Sequence, residues 1–214
     1  CNGTICMRPH LSMSRRTRRT PFSSRVEAAG ASGYTVYNHT LLATSFRGIE
    51  VDYWHLCENV QVWDVSCEKQ VTLMGPGANE LTQYMTPRDL THAKVGRCYY
   101  LPMCDENGNM MNDAVAIKVN DRHWRLSVAD SDVLLWAKGL AVGFGLDVEV
   151  REPDIFPLAV QGPKAEELMC RVFGDEIKDL GFFAIEPFIY NGQRMKVARS
   201  GWSKQTGYEV FVNN

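Results

Sequence analysis

The sequence lacks any long hydrophobic run and any strong net charge. No apolar stretch approaches the roughly 18 residues that a membrane-spanning helix needs, and the first dozen residues lack the apolar core of a signal peptide. The formal net charge is −2, so the chain as a whole gives no electrostatic reason to bind nucleic acid. The expected partners therefore include neither a membrane nor nucleic acid.

Several familiar motifs are also missing. The stretch "GPGANEL" lacks the Gly-Lys-Ser/Thr ending of a phosphate loop. The stretch "GLAVGFG" is typical of a helix end rather than of a dinucleotide-binding motif. No Gly-x-Ser-x-Gly elbow, which would carry a nucleophilic serine, occurs in the sequence. The 7 cysteines are odd in number and irregularly spaced, and no His pair stands near them at ligand spacing. We therefore expect no disulfide framework and no metal site, and we interpret the thiols as buried in a reducing compartment, the cytoplasm.

The N-terminal region carries a basic cluster, "RRTRR", at positions 15–19. Two interpretations are open: a targeting or anion-binding arm, or a solvated mobile terminus. Met13 opens "MSRRTRRTPF" more naturally than Cys1 opens the chain, so residues 1–12 are expected to lie outside the natural protein. The predicted organisation is a flexible extension over 1–24, followed by one folded region over 25–214.

An internal repeat gives the clearest structural signal. "KQVTLMGPGANEL" (69–81) and "PLAVQGPKAEELM" (157–169) each combine an apolar strand, Gly-Pro, an Ala and an acidic residue before Leu. Pro suits the first turn of a helix, and acidic side chains suit its positive start. Gly162 follows Gly75 by 87 residues. The pattern predicts two related strand–helix modules that share a sheet.

The other segments mix strands and helices without regular alternation. Residues 109–129 predict two strands joined at 120–122, residues 130–145 predict a helix, and Asn191-Gly192 predicts a hairpin. Residues 34–46 have a partly extended pattern, and helical spacing precedes a strand-like run at 62–65. The fold class is therefore predicted as α+β, with mixed sheets and packed helices.

Four ordered motifs carry a resemblance to a known family. They are "VWDVS" (62–66), "YYLPMCDENGNMMND" (99–113), "LAVQGP" (158–163) and "SGWSKQTGYEVF" (200–211). Together they resemble the folate-binding aminomethyltransferase family, typified by the glycine cleavage T-protein. The stretches "RTPFSSRVEAAG", "GYTVYNH", "ADSDVLLW" and "SGWSKQ" are similar to its dimethylsulfoniopropionate demethylase branch.

The resemblance implies a T-protein-like fold, tetrahydrofolate as cofactor and methyl transfer from a small sulfonium substrate. It also implies that the family's C-terminal barrel is absent from this chain, whose own activity is then in question. A homodimer is one option for assembly. Two other functions stay open: aminomethyl transfer or O-demethylation with a different donor, and non-catalytic folate binding.

The resemblance places catalysis at Asn112 and Asp113. The T-protein carries two adjacent acids there, and the first, tied to catalysis, is replaced here by Asn112. A departing amine needs proton management, whereas a sulfonium leaves as a neutral sulfide and chiefly needs alignment. Asn112 therefore favours sulfonium demethylation; the alternative is that it caps a strand turn.

The same resemblance assigns the binding residues. Gln205 replaces a pterin-binding Glu, Tyr100 matches a tyrosine at the folate site, and Asp130 and Ser131 are assigned to folate contact. A sulfonium offers no N–H, so aromatic faces are expected to hold it, and its carboxylate needs a cation. Trp202 and Tyr37 are predicted for the sulfonium, and Lys204 or Arg88 for the carboxylate. The alternatives are sheet-edge packing for Trp202 and a core position for Tyr100.

Overall fold

The computed structural model describes residues 14–213. Its helices are Ser23–Ala28 (α1), Ile49–Glu58 (α2), Ala78–Tyr84 (α3), Val133–Gly143 (α4) and Ala165–Phe173 (α5), with a 3-10 helix at Asp175–Asp179. Its strands are Gly33–Tyr37 (β1), Thr40–Ser45 (β2), Gln61–Asp64 (β3), Gln70–Met74 (β4), Arg97–Cys104 (β5), Met110–Asn120 (β6), His123–Ser127 (β7), Glu149–Arg151 (β8), Ile155–Gln161 (β9), Ile185–Tyr190 (β10), Gln193–Ala198 (β11) and Gly207–Asn213 (β12).

Two five-stranded sheets form the centre of the fold. Sheet I has the order β5-β6-β7-β4-β8, and sheet II has the order β10-β11-β12-β9-β3. Neighbouring strands in both sheets are antiparallel, as are β1 and β2, which pair as a separate hairpin. The α+β prediction is therefore confirmed.

The sheets face each other, and helices cover their outer faces. Apolar side chains of sheet I pack with α3 and α4 around Leu73, Leu101 and Trp124. Those of sheet II pack with α5 around Val160 and Tyr208. A third cluster lies between the sheets and joins β5 and β6 to β10, β11 and β12; its buried members are Cys98, Ile117, Ile185, Ala198 and Phe211. We call the region between the two sheets the inter-sheet space.

The predicted repeat is present, but the two modules do not share a sheet. The strand of the first module, β4, lies in sheet I and is followed by α3. The strand of the second module, β9, lies in sheet II and is followed by α5. In each module the glycine after the strand has a positive φ, 136° at Gly75 and 127° at Gly162. A Cβ there would lie 2.4 Å from the Asp147 carbonyl oxygen or 2.2 Å from that of Asn59. Each glycine is required because the backbone leading into the neighbouring strand, β8 or β3, touches it.

Local predictions hold with small shifts of boundary. The hairpin at Asn191-Gly192 is β10–β11, and both turn residues have positive φ. The extended stretch 34–46 is also a hairpin, whose turn residues Asn38 and His39 have φ of 48° and 60°. The two prolines precede their helices, which begin at Ala78 and Ala165, rather than lying in the first turn.

Residues 14–24 contact the folded region. The Arg18 N–H donates to the His39 carbonyl at 2.6 Å, and Leu41 donates to the Arg18 carbonyl at 3.1 Å. Arg18 also forms an ion pair with Glu152, at 2.5 Å. The proposed flexibility of residues 1–13 lies outside the described residues, and the boundary at residue 24 stays a prediction.

No helix within residues 14–213 has both the length and the apolar character needed to cross a membrane.

Candidate functional site

The two predicted catalytic residues lie on opposite faces of β6. Side chains alternate along a strand. Ala114 and Ala116 pack on the helix side of sheet I, whereas Val115 and Ile117 pack between the sheets. Asn112 shares the helix-side face and is 5% exposed, whereas Asp113 lies on the inter-sheet face of the strand and is exposed. Of the pair, Asp113 is the one positioned to meet a ligand between the sheets.

Asn112 holds the turn between β7 and α4. Its amide donates to the Ala129 carbonyl at 3.0 Å and to the Ser131 hydroxyl at 2.8 Å, and its carbonyl oxygen accepts from the Ala129 N–H at 3.3 Å. A direct catalytic role stays a prediction. These contacts are those of a residue that positions a turn, so the strand-turn alternative has structural support.

Asn38, which the sequence did not single out, braces the same turn from the β1–β2 hairpin. It is 4% exposed, and its amide donates to the carbonyls of Cys67 and Ala129, each at 3.1 Å. Its backbone N–H donates to the Asp130 carboxylate at 2.7 Å, and its side-chain oxygen accepts from the Ser131 N–H at 3.1 Å. Asp130 and Ser131 therefore lie together, with hydrogen bonds directed into the protein.

Three carboxyl groups line one end of the inter-sheet space, which we call the acidic end. Asp113 comes from sheet I, Glu209 comes from β12 of sheet II, and Glu68 lies in the connection that crosses from β3 to β4. Glu68 accepts a 3.4 Å hydrogen bond from the Ser127 hydroxyl, and Tyr100 donates to Asp113 at 3.5 Å. None of the three forms an ion pair with a described residue.

Burial and mutual repulsion change the acidity of this end. Burial, followed by the charges of Glu209 and Asp113, raises the pKa of Glu68 to about 8, although the Ser127 hydrogen bond opposes the shift. Burial also raises the pKa of Glu209, against the hydrogen bond donated by Ser200. The pKa of the Tyr37 hydroxyl rises through burial and, more weakly, through the nearby Glu68. The Glu68 carboxyl group is therefore the one at this end whose raised pKa lies near neutral pH.

The opposite end of the inter-sheet space, the basic end, contains cations. Arg125 is 5% exposed, lies 4.5 Å from the Phe211 ring centroid, and leaves Nε and Nη2 without a partner among the described residues. Burial lowers its pKa to about 10. His123 and Lys196 also have lowered pKa values, through burial and then the charge of Arg125. The space is thus polarised from end to end.

The loop that carries Trp202 and Gln205 is fastened to β9 by one side chain. Gln161 is 1% exposed; its amide donates to the Ser200 carbonyl at 3.1 Å, and its oxygen accepts from the Ser203 hydroxyl at 2.6 Å. A Cβ at Gly201 or Gly207 would lie 2.2 Å from the Gln161 amide nitrogen. These glycines therefore allow close approach of a buried side chain of the protein itself.

The predicted aromatic pair is not in contact. Trp202 is 76% exposed, and its ring centroid lies 6.3 Å from that of Trp63 on β3. Tyr37 lies instead with Glu68 and Asp130. Trp63, within the quoted "VWDVS" motif, is thus the aromatic neighbour of Trp202 that sequence reasoning missed.

The two predicted carboxylate-binding cations lie in different places. Lys204 is exposed in the Trp202 loop, with a φ of 61°. Arg88 donates to the Tyr100 carbonyl at 2.9 Å, and its guanidinium lies 5.4 Å from the Tyr99 ring centroid. Their roles stay predictions, as does that of half-buried Gln205, whose backbone N–H donates to Ser203 at 3.3 Å.

Sequence reasoning also missed Glu68 and Glu209. Glu209 interrupts the otherwise apolar strand "GYEVFV", and a carboxylate in such a strand is a signal that could have identified it. Glu68 lies in a connection without periodicity, so only its three-dimensional surroundings single it out. Within residues 14–213, no group of three or more potential ligands is arranged to hold a metal ion.

Comparisons with known proteins give a consistent result. Residues 22–214 match the model of the GCVT N-terminal domain family. The chain is 52% identical over 199 residues to dimethylsulfoniopropionate demethylase DmdA of Ruegeria pomeroyi, covering 93% of this chain and 55% of the relative. It is 27% identical over 176 residues to the aminomethyltransferase of Natranaerobius thermophilus, covering 80% of this chain and 48% of the relative. The chain thus spans about half the length of these relatives.

A solved structure shares the fold. The glycine cleavage system aminomethyltransferase T from Bartonella henselae superposes with a TM-score of 0.80 at 21% identity, over 92% of this chain and 54% of that one. The heterotetrameric sarcosine oxidase from Corynebacterium sp. U-96 gives a TM-score of 0.55 at 16% identity, over 91% and 86%. At these identities the likeness concerns the fold.

Proposed function

The chain belongs to the GCVT N-terminal domain family, and from that premise we propose that it acts in tetrahydrofolate-dependent demethylation of dimethylsulfoniopropionate. The products are methylmercaptopropionate, methyltetrahydrofolate and the proton that the methylated folate nitrogen releases. The observation that carries the proposal is the 52% identity to a dimethylsulfoniopropionate demethylase, about twice the identity to the aminomethyltransferases. The small-molecule substrate, the cytoplasmic location and an assembly of two copies are parts of the same proposal.

The residues between the sheets fit a reduced folate. A pterin presents adjacent N–H donors, and the acidic end offers carboxyl oxygens as acceptors, with the half-exposed Tyr100 ring beside Asp113. Gln205 and Tyr100 are the predicted folate residues free to turn toward a ligand, because Asp130 and Ser131 direct their hydrogen bonds to Asn38 and Asn112. When bound, tetrahydrofolate supplies the nitrogen that accepts the methyl group.

The protein's task in such a transfer is alignment and charge stabilisation. The leaving sulfide is neutral, so its departure requires no general acid. A sulfonium offers no hydrogen-bond donor from nitrogen or oxygen, so aromatic faces and carboxylates are the groups suited to hold it. Trp202 with Trp63 provides aromatic surface, and Tyr37 lies beside Glu68. Alignment of two bound reactants is worth about 7–11 kcal/mol of barrier in favourable systems.

The direct test is a methyl-transfer assay. The protein is incubated with tetrahydrofolate and dimethylsulfoniopropionate, and methyltetrahydrofolate and methylmercaptopropionate are quantified by liquid chromatography and mass spectrometry. Equimolar formation of both products is the expected result. Absence of both products, while an active demethylase forms them under the same conditions, would falsify the proposal.

Two variants separate binding from folding. Trp202→Ala is expected to weaken sulfonium binding on the order of tenfold while leaving folate binding nearly unchanged, because an exposed ring supports little of the core. Glu50→Gln, an exposed substitution on α2, a helix without buried residues, serves as the matched control. Equal losses of both ligands in Trp202→Ala would point to general misfolding.

Aminomethyl transfer remains the second candidate, favoured by the aminomethyltransferase relatives at 27% identity and below. Asn112 is evidence against aminomethyl transfer, because a departing amine needs a proton donor or acceptor. The Asn112 side chain is neutral, and it is already hydrogen-bonded to Ala129 and Ser131. Replacing dimethylsulfoniopropionate by an aminomethyl donor in the same assay distinguishes the two.

A further inference from the structure

Trp63 lies on the inter-sheet face of sheet II, although it belongs to the edge strand β3. It pairs directly with Ala159 on β9, and Ala159 pairs in turn with Glu209 on β12. Directly paired residues of antiparallel strands project to the same side of a sheet, and Glu209 shares its side with Phe211, two residues further along β12. Because Phe211 packs in the cluster between the sheets, the Trp63 indole projects to that side as well.

Trp202 brings a second indole to the Trp63 ring. The ring centroids are 6.3 Å apart, and the ring planes are tilted by 53°. Trp202 is 76% exposed and Trp63 is half-buried, so neither indole is enclosed by the core. Two adjacent indoles open to solvent form the kind of aromatic surface that proteins use for recognition.

A glutamine fixes the Trp63 ring. The indole Nε1–H donates to the side-chain oxygen of Gln61 at 2.8 Å, and the Gln61 amide donates to the Asp52 carbonyl of α2 at 2.7 Å. The ring orientation is thus set by hydrogen bonds that end on a helix backbone. Because its single N–H donates to the protein, Trp63 offers a ligand its aromatic face and no hydrogen-bond donor.

A second glutamine fixes the Trp202 loop, and it is the cross-strand partner of the first. Gln61 and Gln161 are paired in register between β3 and β9. The Gln161 amide donates to the Ser200 carbonyl at 3.1 Å, and its oxygen accepts from the Ser203 hydroxyl at 2.6 Å. These two serines flank Trp202, so one side chain holds the loop on both sides of the indole. Gln161 is 1% exposed and therefore acts through the loop rather than on a ligand.

We propose that Gln61 and Gln161 are positioning residues that hold Trp63 and Trp202 as a two-ring binding site for a sulfonium. The inference rests on the proposed function and deepens it, because it names Trp63 as a specificity-determining residue and assigns one glutamine to each ring. A sulfonium carries positive charge on its methyl groups and no N–H or O–H, which matches aromatic faces whose donor is already engaged. The neutral sulfide product loses the cation–π attraction and is bound more weakly.

The first test measures the affinity of the 214-residue chain for dimethylsulfoniopropionate by isothermal titration, with and without tetrahydrofolate. Trp63→Leu is expected to weaken sulfonium binding about 3- to 30-fold, the range for loss of one aromatic face. Its preference for the sulfonium over methylmercaptopropionate should fall by a similar factor, because the two ligands share the carboxylate and differ in charge at sulfur. Trp136→Phe, a substitution of an exposed tryptophan on α4, is the matched control and should bind like the wild type.

A double-mutant cycle separates positioning from a general structural role. Gln161→Met keeps the length of the side chain and removes its hydrogen bonds, and it should weaken sulfonium binding about 3- to 10-fold in the wild-type background. In a Trp202→Ala background the same substitution should have no further effect, because Gln161 acts through that ring. Ser203→Ala removes only the hydroxyl that donates to Gln161, and it should repeat this pattern if Gln161→Met fails to fold.

The corresponding cycle pairs Gln61→Met with Trp63→Leu and should give the same lack of additivity. Far-ultraviolet circular dichroism provides a second readout: the exciton signal of the indole pair should vanish in Trp63→Leu and weaken in Gln161→Met, but persist in Trp136→Phe. Wild-type affinity in Trp63→Leu, or equal losses from Gln161→Met in both backgrounds, overturns this inference and leaves the methyl-transfer proposal standing. Absence of sulfonium binding by the wild type overturns the substrate assignment and the inference together.

Discussion

The acidic and basic ends of the inter-sheet space differ in whether their buried charged groups change protonation near neutral pH. At the acidic end, the pKa of Glu68 is raised to about 8, so the group changes its charge near neutral pH. At the basic end, the pKa of Arg125 is lowered only to about 10, so the guanidinium stays charged there, covered by the Phe211 ring. The acidic end is therefore suited to respond to a ligand, whereas the basic end is a fixed part of the interface between the sheets.

Phe211 packs against Arg125 on the inter-sheet face of β12. It follows Glu209 on the same face of β12, and residues so spaced along a strand are about 6.6 Å apart. Its ring packs in the cluster that joins the sheets and also contacts Arg125. One side chain thus contributes to the core and covers a cation.

The largest effect is expected when the packing of Phe211 is removed. Phe211→Ala is expected to lower the free energy of unfolding by about 3–5 kcal/mol, because it opens a cavity in the inter-sheet cluster and exposes Arg125. Urea denaturation followed by tryptophan fluorescence measures the change, with Phe211→Leu as a control that keeps most of the apolar volume. A loss below 1 kcal/mol would show that the ring does not hold the sheets together.

The acidic end predicts how stability depends on pH. Glu68 has a pKa of about 8 in the folded protein, against an ordinary value of 4.5, so the folded state binds more protons between these pH values. The free energy of unfolding is therefore expected to fall by about 2–4 kcal/mol as the pH rises from 5 to 8.5. Denaturation across this range, for wild type and Glu68→Gln, checks the prediction; the variant should have the flatter profile, and parallel profiles would contradict it.

At the basic end, neutralisation of Arg125 should stabilise the protein. Arg125→Met keeps a long apolar side chain over Phe211 and removes a buried charge whose Nε and Nη2 lack partners among the described residues. The free energy of unfolding is expected to rise by about 1–2 kcal/mol. Thermal and urea denaturation provide the measurement, with the exposed Arg122→Met as the control. Destabilisation instead would reveal an anionic partner for the guanidinium.

The smallest expected effect concerns the coupling between carboxyl groups. Asp113→Asn removes one of the two negative charges that raise the pKa of Glu68, and that pKa is expected to fall by about half a unit. Carbon-13 NMR titration of labelled glutamate side chains resolves such a shift. An unchanged pKa would mean that burial and Glu209 account for the whole displacement.

The local elements could be predicted from the sequence because their signals are local. Asn191-Gly192 specifies a hairpin turn through positive φ, and Gly75 and Gly162 mark the turns after two related strands. The partition of those strands into two sheets could not be predicted. Pairing partners such as β9 and β12 are distant in the chain, and the sequence of an apolar strand does not indicate which sheet it joins.

The candidate site was predicted only in part, for a similar reason. Motif resemblance pointed to Asp113, Tyr100 and the Trp202 loop, and the structure places Asp113 and Tyr100 side by side as exposed residues of sheet I. It did not reveal that Asn112 is directed to the opposite face, because a single-residue step in a strand reverses the side chain. Glu68 was missed because its significance depends on Glu209 and Asp113, which no sequence spacing connects to it.

The Gln161 amide held between Gly201 and Gly207 has a consequence for how this family can vary. Any side chain at either glycine would occupy the volume of that amide, and Gly201 also has a φ of 141°, which disfavours other residues. The three positions are therefore linked: a substitution at 207 requires a shorter residue at 161, and a substitution at 201 requires in addition a different backbone conformation. Among related sequences, these positions should change together or not at all, and the freedom of the Trp202 loop to diverge is limited by a residue far earlier in the chain.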